Sequence, residues 1–218
     1  MPVFNEAALL EAAFERLERV ARTFPVVVAD GGSTDGSARI ARRFFHTERC
    51  PARNRGAQLN RGAQCLSTDV LLFLHADSQL PEGFAFHVRR ALRQPRVAGG
   101  CFRLEFNVRR PMLRFYSWCT RFPGRFLHFG DQGFFVRREV FERMGGFRRL
   151  PFLEDVDFLR RLYRYGRFAV LPVPVVTSAR RFLRHGVVRQ QLRNILLVAL
   201  FELGVSAERL ARFYPPVR

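Results

Sequence analysis

Apolar residues recur along this chain in two alternating rhythms, and the rhythms predict its elements. Over residues 7–23, Leu9, Leu10, Ala13, Phe14, Leu17 and Val20 fall at helical spacing. Residues 25–30 are a short apolar run that reads as a buried strand. It opens into the turn-rich Gly31-Gly32-Ser33-Thr34-Asp35-Gly36-Ser37. A helix follows, with Ser33 or Asp35 as its N-cap. Next come a short strand over 44–47, a helix over 53–66, a strand over 70–77, a helix over 81–94 and a strand over 99–106. Such alternation argues for an α/β fold with a doubly wound, mostly parallel, Rossmann-like sheet flanked by helices. The second half is less regular. A short helix is expected over 112–120, a glycine-flanked strand over 130–136 and a helix over 138–144 ended by Gly145-Gly146. A further helix covers 154–165. Strands over 168–171 and 173–178 are broken by Pro172 and Pro174. Helices over 187–203 and 207–213 close the chain. No internal repeat or low-complexity linker appears, so residues 1–218 are read as a single domain.

The run Val70-Leu71-Leu72-Phe73-Leu74 is unbroken, as expected of a strand buried on both faces of a parallel sheet. It ends in His75-Ala76-Asp77. Ligands of open α/β sheets bind just beyond the carboxyl ends of the strands. Asp77 therefore either holds a divalent cation and, through it, a diphosphate, or caps the following turn. The same choice applies to Asp30, which ends a strand before a glycine-rich turn. It accepts from a nucleoside, with glycines that let backbone approach closely, or it belongs to a plain βα turn. The pattern is not GxGxxG, so a dinucleotide fold is not indicated. Arg53-Asn54-Arg55-Gly56-Ala57-Gln58-Leu59-Asn60 opens a helix with cations and amides, which is either an anion site or a solvated basic face. Glu154-Asp155 begins a helix after an apolar segment, offering a general base or simply acids that suit a helix N-terminus. Asp157 is read as structural.

Composition narrows the partners. The formal charge is +18, all 37 basic residues are arginine, and 48% of the chain is apolar. Such a charge favours polyanions: nucleic acid, an anionic lipid surface or nucleotide diphosphates. Cys50, Cys65, Cys101 and Cys119 form no CxxC and are read as reduced and cytosolic. No signal peptide is visible. The apolar run over 195–201 stops at Glu202, short of the roughly 18–20 residues that a membrane span needs. The expected location is the cytoplasm, with peripheral contact at the inner face of the membrane as an extension of that reading.

Taken in order, these motifs resemble the family-2 glycosyltransferases, over roughly residues 2 to 185. Pro2-Val3-Phe4-Asn5-Glu6 is similar to the family's opening nucleotide loop, and Asp30-Gly31-Gly32-Ser33-Thr34-Asp35 to its second. Arg55, Gln58 and Asn60 sit in what resembles the helix before the metal strand. His75-Ala76-Asp77 stands where the family has its DxD motif. Gly130-Asp131-Gln132-Gly133 resembles the acceptor-side glycine loop, and Glu154-Asp155 the ED motif. Any one motif is weak, and five in order are strong. The chain looks closest to the small soluble subgroup found near radical-SAM and selenium-related genes.

The resemblance implies a GT-A (nucleotide-diphospho-sugar transferase) fold. Residues 1–106 would be the nucleotide-binding half, 107–185 the acceptor half and 186–218 the C-terminal helices. It implies an inverting transfer of one sugar from a nucleotide-diphospho-sugar to an acceptor hydroxyl. Asp155, with Glu154 beside it, would supply the general base. Val3, Asn5, Glu6, Asp30, Gly31, Ser33, Asp35, Arg55, Gln58, Asn60, Asp131 and Gln132 would contact the donor, with Arg180 and Arg181 on its diphosphate. Asp77, His75 and His185 would hold Mg2+ or Mn2+. The acceptor would be a small or lipid-linked molecule.

Three departures stand out. His75 replaces an acid the family often has, and a neutral imidazole suits Mn2+ better than Mg2+. The hydrophobic strand that usually precedes the opening loop is expected to be missing from this chain, through a misplaced start or a true truncation. Gln190-Gln191-Leu192-Arg193-Asn194 only half resembles the QxxRW segment of processive members, so a single-sugar transfer is expected. The helix over 187–203 places Leu192, Ile195, Leu196, Val198 and Ala199 near one side, with Arg189 and Arg193 close by. It either packs on its own domain or rests on an anionic membrane. Two other readings compete. A nucleotidyltransferase would share the fold but carry a glycine- and Lys/Arg-rich loop after its first strand, where this chain has Asn-Glu. A basic nucleic-acid binder would explain the charge, yet no RNP, zinc-finger or helix-turn-helix pattern appears, so nucleic acid is disfavoured as a partner.

Overall fold

The computed structural model describes residues 1–50, 54–124 and 126–213; Arg53, the expected start of a helix, lies outside them. In chain order the elements are β1 (Pro2–Val3), α1 (Ala7–Ala21), β2 (Val27–Asp30), α2 (Ser37–Phe44), β3 (His46–Arg49), α3 (Arg55–Gln64), β4 (Val70–Phe73), α4 (Phe84–Leu92), β5 (Val97–Phe106) and α5 (Pro111–Cys119). After a 3-10 turn at Gly130–Gln132 come β6 (Phe134–Arg137), α6 (Arg138–Arg143), α7 (Glu154–Leu162), β7 (Arg167–Thr177), α8 (Arg180–His185), α9 (Val187–Glu202) and α10 (Ala207–Ala211). The alternation of the first half is as the apolar rhythm predicts. The six-residue helix α8 has too few turns to show a period, and the sequence did not announce it.

The strands form a parallel β1-β2-β3 sheet and a mixed β4-β6-β5-β7 sheet. Residues 2–3 occupy the place of the strand expected to be missing: Pro2 pairs with Ala29 and Val3 with Asp30. The main-chain carbonyl of Met1 accepts from the Ala29 N–H at 2.8 Å. Residues 70–77 depart from expectation twice. The strand stops at Phe73, and it pairs antiparallel with β6 at the sheet edge rather than lying among parallel neighbours. The long excursion after β5 returns as β6 and slots between β4 and β5, antiparallel to both. The two strands expected around Pro172 and Pro174 are one, β7. It is an edge strand whose register jumps from Leu171 to Pro174 opposite Phe102 and Arg103. An edge strand with a bulge tolerates prolines, because those positions owe no N–H to a neighbour.

One core joins the sheets. Val3 and Val28 from the first pack in the same cluster as Phe102, Phe135, Leu171 and Val175 from the second, with Leu10 and Phe14 of α1. A second cluster under α7 is aromatic. Phe73, Phe134, Phe141, Phe147 and Phe158 contact one another, with Phe147 and Phe158 stacked at 4.2 Å. Phe158 lies one turn into α7, so this cluster pins the start of that helix against the carboxyl end of β4. Truncating a buried phenylalanine of this kind costs about 3–5 kcal/mol.

Candidate functional site

Two loops leave the carboxyl ends of β1 and β2 side by side, and polar side chains fasten them. Asn5 takes a left-handed conformation (φ 51°) and accepts from the Thr34 N–H at 2.8 Å. The Asn5 N–H donates to Ser33 Oγ at 3.0 Å and the Glu6 N–H to Ser37 Oγ at 2.8 Å. Asp35 accepts from the Ala7 N–H and from Ser37. The N-cap position of α2 itself falls on Gly36 (φ 90°), rather than on Ser33 or Asp35. Asp30 is buried, and its carboxylate accepts from the N–H groups of Gly32 and Ser33 at 3.0 and 3.1 Å. Much of its acceptor capacity thus goes to shaping its own turn.

The chemistry gathers around Gly130. A Cβ placed there would lie 3.1 Å from Asp155 Oδ2, 3.1 Å from His75 Nε2 and 3.2 Å from Arg55 Nη2. Three elements and one turn therefore converge on a single point: α7, the loop after β4, the start of α3 and the 3-10 turn. The Gly130 N–H donates to Asp155 Oδ2 at 2.7 Å, and Asp155 Oδ1 accepts from the Val156 N–H at 2.8 Å. The backbone just before this pair is strained, since Leu153 holds φ 61° without being glycine. Such strain persists only where the surrounding structure imposes it.

Arg55 is the electrostatic hub. Its Nε stands 3.2 Å from Oε1 of the buried Glu154, an ion-pair distance without hydrogen-bond alignment. Burial raises the Glu154 carboxyl, and Arg55 opposes the rise. Burial likewise raises Glu6 and Asp77, against the pull of Arg180 and Arg55. Asp131 is pushed up to about 7 by burial, then by the neighbouring charges of Asp155 and Asp77. Its Oδ1 is buried with no hydrogen-bond partner. His75 is driven well below the ordinary imidazole range by burial and by the cations Arg55 and Arg181, so its ring is neutral. Its Nε2 is also buried without a partner. Arg181 on α8 is lowered by burial and by Arg55, while Asp77 draws it the other way. Glu6, His75, Asp77, Asp131, Glu154, Asp155, Arg55, Arg180 and Arg181 thus share one field.

Several other expected residues are spent on the fold. The Gln58 amide donates to the Val3 and Ala29 carbonyls at 2.8 and 2.9 Å, stitching α3 to β1 and β2. An added Cβ at Gly31 would lie 2.8 Å from Gln58 Nε2, so the glycine makes room for this fastening. Asn60 uses both ends of its amide on the Phe147 backbone. Gln132 is wholly buried, with its amide bonded to His128, Cys101 and the Leu127 carbonyl. Asp157 holds Arg161 and Arg148, the structural role expected of it. His185 ends α8. Among the described residues, the one group of three or more His, Cys, Asp or Glu ligand atoms all within 4.8 Å is His46, Glu48 and Cys65, so Asp77, His75 and His185 are not drawn to ligand spacing. Sequence reading missed Leu153, whose strain no residue type signals. It also missed the support under Asp131, whose carbonyl accepts from Ser78 Oγ at 3.5 Å, with Thr177 Oγ1 3.1 Å further on.

Comparison with known proteins places this geometry. The family model described as Glycosyl transferase family 2 matches residues 1–152. No curated protein sequence matches the chain. Among solved structures, the mannosyltransferase PcManGT from Pyrobaculum calidifontis, in complex with GDP-Man and Mn2+, superposes with TM-score 0.65 at 20% identity, over 94% of this chain and 64% of that one. S. aureus TarS (1–349) gives 0.65 at 13% identity, over 96% and 66%. Glucosyl-3-phosphoglycerate synthase from Mycobacterium tuberculosis, in complex with phosphoglyceric acid, gives 0.57 at 16% identity, over 90% and 77%. At these identities the likeness shows the fold, the GT-A fold of glycosyltransferases, and this chain spans just under two thirds of the first two proteins' length.

Proposed function

The chain belongs to glycosyl transferase family 2, and we propose that it moves one sugar from a nucleotide-diphospho-sugar to an acceptor hydroxyl in a single displacement with inversion. The observation that carries this reading is the convergence of Asp155, His75 and Arg55 on Gly130, beside Asp77 and Asp131. Asp155 takes the proton of the acceptor O–H as its oxygen bonds to the anomeric carbon. The bond from that carbon to the diphosphate breaks, and its electron pair leaves with the nucleotide. The Gly130 N–H holds Asp155 in place for this step, and the neutral His75 adds no competing charge. Arg180 and Arg181 face the leaving diphosphate, where cations lower the barrier as negative charge develops. The loops at Asn5 and Asp30 form the nucleoside side of the site.

A divalent cation fits at Asp77 and Asp131. The unpartnered Asp131 Oδ1, and a carboxyl raised to about 7 between two other acids, are what a nearby cation relieves. Held by these carboxylates, Mg2+ or Mn2+ would supply positive charge beside the departing diphosphate. The Mn2+ and GDP-Man of PcManGT and the UDP-GlcNAc of TarS support this class of donor and metal.

Calorimetric titration of UDP and of GDP, each with and without Mn2+, tests the reading. Metal-dependent binding of one nucleotide is expected. It should be lost in Asp77→Ala and kept in Asp155→Asn, which instead stops transfer. If the folded protein binds neither nucleotide with metal present, the proposal fails.

A further inference from the structure

Helix α9 is apolar on two sides. Its inner side buries Leu197 and Val198 together with Gln190, which is bonded to Asn194. Its outer side carries Val188, Leu192, Ile195 and Leu196 at helical spacing, followed by Leu203 just past its end, all 51–82% exposed. An ordinary surface helix keeps its outer side polar. The adjoining helix α5 also carries an exposed apolar stripe. It buries Leu113 and exposes Met112, Phe115 and Trp118, a stripe that Phe122 continues. Phe115 stacks on Trp118 at 6.1 Å, and Phe122 meets Trp118 edge-on at 4.7 Å. The helices are neighbours over a small cluster of Leu104, Phe106, Leu113 and Ala179, in which Tyr116 of α5 meets Phe182 of α8. Leu183 of α8 is exposed between them.

An apolar face of this size marks an interaction surface, and charge selects its occupant. Residues 107–124 and 180–203 hold nine arginines and a single acid, Glu202. Arg109, Arg110, Arg114 and Arg121 are exposed along the α5 side and Arg189 along the α9 side. Arg109, Arg110, Pro111 and Arg114 line a surface concavity at the foot of α5. Two copies of a chain with net charge +18 would bring these arginines against each other. An anionic bilayer answers both features, taking the apolar stripes into its interface and the arginines against its headgroups. No helix among the described residues is long and apolar enough to cross a membrane, so the contact lies in the plane of the surface.

We propose that α5 and α9, joined through α8, form a face that docks on anionic lipid membranes. Helix α8 carries Arg180 and Arg181 into the field of Asp77, so a docked chain holds its candidate site at the edge of the bilayer. This last point rests on the transfer reading above and places a lipid-linked acceptor within its reach. The docking itself does not depend on that reading.

Trp118 is the chain's sole tryptophan and lies within the face, so it reports directly. The full chain is mixed with vesicles of phosphatidylcholine alone or with one third phosphatidylglycerol, some carrying brominated acyl chains. A blue shift and bromine quenching are expected with the anionic vesicles only, weakening in high salt. Leu192→Ser with Ile195→Ser alters two exposed positions and should cut vesicle partition about tenfold. Circular dichroism checks that this variant is folded, and nucleotide titration reads the candidate site separately. Absence of quenching by anionic vesicles overturns the proposal. So does a blue shift that appears without lipid as the chain dimerises in sedimentation equilibrium, which would assign the face to a second copy.

Discussion

Gln58→Leu separates fastening from ligand binding. Gln58 is 5% exposed, and its amide nitrogen donates to Val3 and Ala29 carbonyls at 2.8 and 2.9 Å. Leucine has similar volume, so the change removes two buried hydrogen bonds without opening a large cavity. Each is worth about 1 kcal/mol net, giving a loss of about 2 kcal/mol. The Val3 carbonyl keeps a second donor, the Gly31 N–H at 2.9 Å, which limits the penalty for stranding it. For a chain of this size that loss lowers Tm by about 4–8 °C. Urea and thermal unfolding measure it. Nucleotide titration below the transition should give an affinity within about threefold of wild type, since the amide points into the sheet and not the site. A variant that keeps its Tm but loses nucleotide binding would refute the assignment and return Gln58 to the donor contacts that its place in the sequence suggested.

The pH dependence of stability should carry the signature of Asp131, and Gly130 should prove intolerant of a side chain. The Asp131 carboxyl rises from 3.8 to about 7 in the fold, so the folded state holds its proton more tightly than the unfolded chain. Its contribution is fully present below pH 3.8 and is lost as pH rises through 7. Asp131→Asn removes the burial of that charge and should be more stable than wild type at pH 8 by about 2 kcal/mol, after discounting for solvent screening, with the gap closing near pH 4. Denaturant melts across that range check the sign, and a gap that does not grow with pH contradicts it. Gly130→Ala puts a methyl 3.1 Å from both Asp155 Oδ2 and His75 Nε2. Because these are side-chain ends, the stability loss should be only about 1 kcal/mol. Displacement of Asp155 should nevertheless abolish transfer while nucleotide affinity, read by calorimetry, is kept.

The sequence pattern was enough to place α1, α3 and α7, to give the βα alternation of the first half, and to put Asp30 at the carboxyl end of its strand and Asp77 in the loop beyond its own. It works because a period reports which residues share a face, and because βα alternation sends every strand end to one edge. Glu154-Asp155 was legible for a related reason, since acids gather at helix starts. Pairing was not legible. Nothing in residues 134–137 says that they lie between β4 and β5, because a strand's partners are fixed by which other strands reach it. The fate of the amides was closed for the same reason. Gln58, Asn60 and Gln132 offer the same donors and acceptors whether they face a ligand or a neighbouring carbonyl, and only packing chooses. Helix α9 makes the limit plainest. Its pattern guaranteed apolar positions, yet which of them face inward depends on how the rest of the chain fills the interior, and here that interior took Leu197 and Val198 with Gln190 and left Leu192 and Ile195 outside.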